Sequence, residues 1–516
     1  MKKAFYFVLG LLILSSALTY GQIVTAASGN WSDAATWTGG VVPGLNDNVV
    51  ITDNDTVIID APSISMNNLT VGQGTSGSLR FKSSTAVVMT VSGSITISAN
   101  GEFKVLTNTI SSPGLVDTLY LYGDLTNNGT MDFRTGSAGS TLSVCDLVLT
   151  GTTNSTLTTP VKYQSQGDFN KLFINKSNKA KVILGSDIFV NGGSSTAPLA
   201  QSGIVFINGI VETGNYALVY VGTTETNISG YSDSSYVIGA MGRGISNSGP
   251  SSKNFPIGDS KSYELITVHG TSSGGSTGHY ALVRCITGDA NTGSSILNGG
   301  IDKVSQVRYY QVGYHVVNGV NTPPAALNMS FDFFKVSYNS DDGVNGGNTD
   351  LRMAISTDNR ATWTALPQNY DYTTKSDTLP RQLIDTLAAA ITVNHGEDPI
   401  FIALARLSGT TTNDLGNPAA INEKNNLKPI AYNLSQSYPN PFNPATTISY
   451  SIPQSGNVKL SVYNVLGKEV ATLVNGYVSA GVHEVNFKAS NIASGIYLYT
   501  IKAGNFSKTM KMILMK

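Results

Sequence analysis

Cysteine, histidine and charge are all scarce in this 516-residue sequence. The two cysteines, Cys145 and Cys285, stand far apart in strand-like contexts, so neither zinc-site nor redox spacing exists. An exported chain permits a disulfide, but the two fall in different expected domains, and two buried free thiols are the expectation. The five histidines, His269, His279, His315, His395 and His483, form no His-x-x-x-His or His-Glu-x-x-His pair, so a catalytic zinc lacks its ligands. No Gly-x-Ser-x-Gly elbow with a following acid and histidine stands out, and no phosphate loop is present. Charged residues make up 13% of the chain, against about 25% in an average globular protein. Lys and Arg (32) nearly cancel Asp and Glu (33), which removes any global attraction for nucleic acid. Helix-length amphipathic patterns are also missing between Val49 and about Gly222.

What is abundant is glycine, with 53 residues, and short runs rich in Val, Ile and Thr within a chain that is 41% hydrophobic. That combination favours strands joined by turns and supplies enough apolar material to exclude a disordered polyelectrolyte. The length predicts about three domains. At the N-terminus, Lys2 and Lys3 precede the apolar run Ala4 to Leu14, and Thr19 and Gly21 occupy positions −3 and −1 of a cut before Gln22. Residues 1–21 therefore read as a secretory signal peptide, since the run is shorter than the roughly 20 residues of a spanning helix. No later segment is long and apolar enough to span a bilayer, so no transmembrane anchor is expected after cleavage.

Between Val49 and Gly222, alternating or apolar runs recur between Gly and Asn turns. Val91-Ser-Gly-Ser-Ile-Thr96 parallels Leu121-Tyr-Gly-Asp-Leu-Thr126, each followed by an Asn-Gly turn and then Phe103 or Phe133. The Gly93 to Gly123 repeat suggests stacked coils whose apolar faces form one column. The fold expectation is all-β: a right-handed parallel β-helix with an N-terminal cap over 22–250, a β-sandwich over 251–407, a linker over 408–432 and an Ig-like sandwich over 433–516. A set of β-sandwiches replacing the β-helix is the alternative. Trp31 and Trp37, before the Val42-Pro-Gly44 turn and Asp47-Asn-Val-Val-Ile51, suit a cap over the open column end; stacking on a sugar is the sharper reading. This stretch resembles the glycine-rich N-terminal module of exported β-helical surface proteins associated with carbohydrate. The region from Phe255 to Leu404 looks like middle segments of large secreted proteins of the Bacteroidetes and their relatives.

The C-terminal signal is the most specific. Tyr438-Pro-Asn-Pro-Phe-Asn-Pro444 enforces extended backbone. It is followed by Val462-Tyr-Asn-Val-Leu-Gly-Lys-Glu-Val470, Gly495-Ile-Tyr-Leu-Tyr499 and a terminal strand ending at Lys516. Together these resemble the type A C-terminal sorting domain of type IX secretion substrates. Tyr438, Pro439, Asn440 and Pro441 match its opening motif, Gly467 and Lys468 its central turn, and Gly495, Ile496 and Tyr497 its late strand. The resemblance implies passage through the periplasm to the outer cell surface or medium. Its implied partners are a type IX translocon and a sortase-like peptidase, with tethering to lipopolysaccharide or release. Lys502, Lys508, Lys511 and Lys516 give the tail an acid-free basic end, which suits an acidic translocon groove or a solvated strand face. The Phe442-Asn-Pro444 extension also resembles the Ig-like part of flagellar hook-capping proteins, as a relative in fold.

Candidate chemistry is sparse. Asp117, Asp124, Asp132 and Asp146 fall in successive expected coils, either as turn and surface acids or as a carboxylate set on one groove. The Gly-rich loop Asn339 to Asp350 gathers oxygen donors of the kind calcium uses, but Gly343 and Arg352 occupy ligand positions, so a polar loop is preferred and calcium is the single cofactor left open. Asp55-Thr-Val57, Asp117-Thr-Leu119, Asp377-Thr-Leu379 and Asp385-Thr-Leu387 resemble O-glycosylated tripeptides of exported Bacteroidetes proteins. No catalytic residue is assigned. The functional expectation is a surface or extracellular structural or adhesion protein; the alternative is a polysaccharide-binding or polysaccharide-degrading one.

Overall fold

The computed structural model describes residues 21–107, 115–135, 142–159, 169–190, 202–273, 279–316, 328–338, 340–344, 350–367, 382–394, 399–411, 413–416, 433–434, 437, 440–452, 456–478, 481–489, 492–504 and 506–515. The signal-peptide segment, Tyr438, Pro439, His395, the Asp377 tripeptide and most of the expected linker lie outside them. Among the described residues there is no α-helix; Ala34–Thr36, Glu225–Asn227 and Ser340–Asp342 are single 3-10 turns. The chain divides into two compact units, Met1–Gly416 and Asn417–Lys516.

The first unit begins as a β-solenoid of about seven turns. Its first face stacks Gln22–Val24, Asn48–Ile51, Asn68–Val71, Ile95–Ile97, Leu125–Asn127, Ser155–Thr158 and Lys181–Leu184 in parallel. The second stacks Gly29–Asn30, Thr56–Ile59, Ser78–Phe81, Glu102–Val105 and Thr130–Asp132. The third runs from Ser63–Met66 through Val88–Val91, Leu115–Leu121, Ser143–Gly151, Lys171–Lys176 and Gly203–Asn208 to Ile228–Ser229. Alternation along each strand sends every second side chain inward, and register then makes columns. Val49, Leu69, Ile95, Leu125, Leu157 and Leu184 form one such file. Ile64, Met89, Leu119, Leu147, Leu172, Ile204 and Ile228 form another, and all are buried in a single core. Phe103 stacks on Phe81 at 5.4 Å and meets Phe133 edge-on at 5.0 Å, so the two phenylalanines after the Asn-Gly turns are neighbours in one pile.

The sequence repeat corresponds to one turn of the coil. Gly123 N–H donates to the Gly93 carbonyl at 2.8 Å, and a Cβ on Gly123 would lie 2.4 Å from that oxygen, so this contact requires glycine. Turn length varies from the 20 residues between Asn48 and Asn68 to the 32 between Asp124 and Thr156. That variation made the coil count unreadable from sequence.

Val237–Gly244 is where the stacked parallel pairing of the solenoid gives way to mainly antiparallel pairing. Its start pairs parallel with Ser251–Gly258, while its end pairs antiparallel with His279–Thr287. One antiparallel series then runs Ser251–Gly258, Tyr263–Ser272, Asn328–Tyr338, Gln382–Asn394. The other runs His279–Thr287, Arg308–Val316, Ile400–Leu407, Leu351–Ser356. The apolar core passes without a break from Trp31 to Leu415. The segments expected as separate domains over 22–250 and 251–407 thus share one core. Asn413 and Leu415 are buried within it, beyond the expected linker start at 408.

In the second unit, Asn433–Leu434, Ala445–Ile452 and Gly481–Lys488 form one antiparallel sheet. Glu469–Val478, Gly456–Asn464, Gly495–Ala503 and Phe506–Leu514 form another. Ile448, Tyr450, Leu460, Val462, Tyr499, Ile501 and Met512 bury together as their core.

Candidate functional site

The outer surface of the solenoid is built largely from short polar side chains that hydrogen-bond to neighbouring turns. Where the third face turns into the first, Asn68 Nδ2 donates to Asn48 Oδ1 at 2.8 Å, and Ser94 N–H donates to Asn68 Oδ1 at 2.7 Å. Asp124 N–H donates to Ser94 Oγ at 3.0 Å and Thr156 N–H to Asp124 Oδ1 at 2.6 Å. The side chains of Asn68, Ser94 and Asp124 each satisfy a backbone N–H of the next turn at this corner. Beside this chain, Thr70, Thr96, Thr126 and Thr158 lie in one outward file.

The four candidate acids do not share a groove. Asp117 points into the core in register with Cys145 and accepts from Val87 N–H at 2.8 Å. Burial, partly opposed by that bond, pushes its carboxyl up to about 7. Asp146 faces the other side of the same sheet and accepts from Asn170 Nδ2 at 2.7 Å; burial raises its carboxyl as well. Asp124 sits in the corner ladder. Asp132 lies on the outer second face, its carboxyl raised by burial, near Lys104. Lys104 pairs with Glu102 at 2.7 Å, and Arg80 reaches the same carboxylate at 3.5 Å. Arg80, Glu102, Lys104 and Asp132 form a mixed acid-base set on the outer second face of the solenoid, visible in sequence only once the register is known.

Trp31 and Trp37 are buried at the first end of the column, 2% and 1% exposed. Their rings meet edge-on at 4.8 Å, and Trp37 Nε1 donates to the Trp31 carbonyl at 2.8 Å. Both rings are thus packed inside, and neither face is exposed at the surface. Cys145 and Cys285 are free and buried, and desolvation raises both thiols.

Two acids of the Asn339 to Asp350 segment are inside the fold. Asp342 is buried and pairs with Arg308 Nε at 2.8 Å, and Asp350 is buried and accepts from the Asn413 backbone N–H at 3.2 Å. Among the described residues no group of three or more His, Cys, Asp or Glu side chains is placed to hold a metal. Arg308 also meets Glu264 at 3.0 Å and Asp259 at 3.3 Å, where Ser262 and Ser337 each donate to Glu264 at 2.8 Å. The three carboxylates hold the guanidinium charged against the opposing pull of burial. No spacing in the sequence signalled this cluster, because its members come from separate strands and a loop.

In the second unit, the proline-rich opening is bound to the last strand. Asn440 Oδ1 accepts from Ile513 N–H at 2.8 Å, Phe442 N–H donates to the Ile513 carbonyl at 2.9 Å, and Met515 N–H donates to Phe442 O at 3.0 Å. Asn440 and Pro441 are joined by a cis peptide bond. Gly467 takes φ +77° in the hairpin where Asn464 Oδ1 accepts from Lys468 N–H at 3.0 Å, which explains the Gly-Lys pair at that turn. Gly495 opens its strand at φ +154°, Ile496 is exposed, and Tyr497 donates to the Ala493 carbonyl at 2.7 Å. Lys511 faces outward on the final strand. The sequence reading missed Glu469–Val478, an edge strand with no fully buried residue and hence a weak hydrophobic pattern.

Comparison with known families matches residues 436–515 to the secretion system C-terminal sorting domain. Residues 36–160 match the G8 domain, which falls within the solenoid. No curated protein matches the chain significantly, and no solved structure does. The described part of the opening motif, the central turn and the late strand all lie inside the first match. No helix among the described residues is long and apolar enough to cross a membrane. Residues 436–515 are a type IX secretion C-terminal sorting signal, and the protein carrying them is exported to the cell surface or the extracellular space.

Proposed function

We propose that this is a structural or adhesive surface protein whose solenoid is a scaffold, delivered by a type IX translocon that reads the tail. A sortase-like peptidase then removes the tail, leaving the first unit tethered to lipopolysaccharide or released. In this reading the coil is right-handed, the antiparallel strands that continue it form a β-sandwich, and the tail is an Ig-like sandwich. The observation that carries the proposal is the corner ladder Asn48, Asn68, Ser94, Asp124, Thr156, whose polar atoms are committed to neighbouring turns. Side chains used to stabilise the coil are not poised to act on a substrate.

A polysaccharide-binding or polysaccharide-degrading protein is the second reading. It rests on the Arg80, Glu102, Lys104, Asp132 set, and on Tyr120 and Tyr122, which expose their rings on and just beyond the third face. The test is complementation of cells lacking the protein, scored by surface attachment and envelope integrity. The scaffold reading expects full rescue by the Asp132→Asn chain and none by a chain lacking 433–516. Failure of Asp132→Asn at normal surface levels replaces the scaffold by the second reading.

A further inference from the structure

The sorting tail and the rest of the chain carry opposite charges. Residues 433–516 hold seven lysines against two glutamates, with no arginine or aspartate, a net charge of +5. The whole chain stands at -1, so residues 1–432 carry -6. Of the two tail acids, Glu469 is already taken up by Lys459 at 2.9 Å and by the Thr472 hydroxyl. Lys468, Lys502 and Lys511 are exposed.

The hairpin joining Gly456–Asn464 to Glu469–Val478 has an apolar tip. Val465 is 68% exposed and Leu466 88%, at positions where a turn ordinarily carries polar residues. Asn464 holds the tip in shape. Its N–H donates to the Lys468 carbonyl and its carbonyl accepts from Gly467 N–H, both at 3.0 Å. Its Oδ1 accepts from Leu466 N–H at 3.1 Å and from Lys468 N–H at 3.0 Å. Register brings further apolar side chains to this end of the sheet: Asn464 pairs with Tyr497, next to Ile496, and Ile496 pairs with Ile513, two residues before Met515. Ile496 and Met515 are exposed as well, and all four side chains lie outside the core of the tail. Lys468 borders the tip, and Lys511 stands two residues in from Ile513 on the outward side of its strand. Exposed apolar groups gathered in one place mark a contact surface.

We propose that the sorting tail binds the surface of an anionic lipid bilayer through this end, with Val465 and Leu466 inserted at the headgroup boundary and Lys468 and Lys511 against lipid phosphates. The tip stands clear of the rest of the fold: a Cβ on Gly467 would meet nothing within 4 Å. Such a projection fits a fluid surface that closes over it, whereas a protein partner needs a matching pocket. Insertion removes the two apolar side chains from water, and the lysines are drawn to negative headgroups. Apolar burial and charge attraction add in peripheral binding of this kind. The charge division sets the orientation, because the basic tail is attracted to the lipid while the acidic remainder of the chain is repelled. The contact holds the tail at the membrane that an exported chain must cross, independently of what the solenoid binds.

The test is co-sedimentation with vesicles of phosphatidylglycerol and phosphatidylethanolamine in equal parts, against vesicles of phosphatidylcholine alone. It uses the chain without residues 1–21, whose apolar run would bind lipid by itself. Binding is expected to the first vesicles and not to the second, and it should weaken at high salt as the attraction is screened. Leu466→Ser is expected to weaken it by at least about tenfold. Ile296→Ser, which removes another exposed apolar side chain from the first unit, should leave it unchanged. Leu466→Trp gives a direct readout, since Trp31, Trp37 and Trp363 are all buried in the first unit: the emission of the tip indole is expected to shift to the blue on the anionic vesicles. No binding to them, binding that Leu466→Ser leaves intact, or a tip indole that stays in water while the protein is bound would each overturn the proposal. Cross-linking of the tip to a translocon protein in cells, without vesicle binding, would assign it to a protein interface instead.

Discussion

Within the solenoid turns, buried ionisable groups bond mainly to backbone. Asp117 accepts from one backbone N–H. Lys176, fully buried, donates to the carbonyls of Tyr122 and Thr150 and to Ser155 Oγ, joining neighbouring turns. In the antiparallel strands beyond, buried charges pair mainly with side chains: Arg308 meets Asp259, Glu264 and Asp342, three acids from distant parts of the chain. The difference follows from the two kinds of sheet. A coil leaves backbone groups unpaired at every corner, and a short polar or charged side chain from the next turn is the nearest partner. Antiparallel neighbours complete their ladders locally, so an interior charge there meets mainly other side chains, joined by loop N–H groups such as that of Asn413 at Asp350. The solenoid therefore depends on repetition, and the end that closes it depends on particular residues.

The largest test of that contrast is Arg308→Met, which strands three buried carboxylates and is expected to cost about 3–5 kcal/mol, read by denaturant unfolding of the full chain. A loss under about 1 kcal/mol would mean that the cluster is not what fixes the closing end. Phe103→Ala, in the middle of the aromatic pile, is expected to cost a similar 3–5 kcal/mol. Its damage should be confined to amide protection in the turns holding Phe81 and Phe133, whereas Arg308→Met should expose the antiparallel strands first.

The pH profile sharpens the comparison further. Between about pH 4 and 7 the folded protein keeps a proton on Asp117 that the unfolded chain releases, so stability falls as pH rises through that window. Burial pushes the Lys176 ammonium down to about 8. Between about pH 8 and 9 the unfolded chain holds a Lys176 proton that the folded one has lost, so stability rises again, until above about pH 9 the buried Cys145 thiol, which keeps a proton that the unfolded chain releases, opposes the rise. The solenoid should be least stable near pH 7 to 8. Asp117→Asn should raise stability at pH 8 by on the order of 3 kcal/mol while changing little at pH 4, and a profile unchanged by it would remove Asp117 from the account. The smallest effect belongs to Ser94→Ala, which deletes one rung of the corner ladder and should cost about 1 kcal/mol.

The same contrast explains what could be read from the sequence. The Gly93 to Gly123 repeat, the placement of Phe103 and Phe133 and the buried thiols were legible because the coil is periodic and each turn carries its own pattern. The tail was legible because its motif residues make local turns, as Gly467 does, or bind one strand, as Asn440 does. The Arg308 cluster was not, since partners separated by many residues leave no spacing to detect. Asp117 and Asp124 look alike in sequence, yet one is inside the core and the other caps a corner, a difference that only the register decides.

The central claim, that the solenoid is a scaffold and not a catalyst, is tested most directly by incubating the purified protein with bacterial, plant and animal polysaccharides, with and without calcium, and counting new chain ends. The account predicts none above the buffer control for any polymer; new chain ends from one of them, abolished by Asp132→Asn, would contradict it.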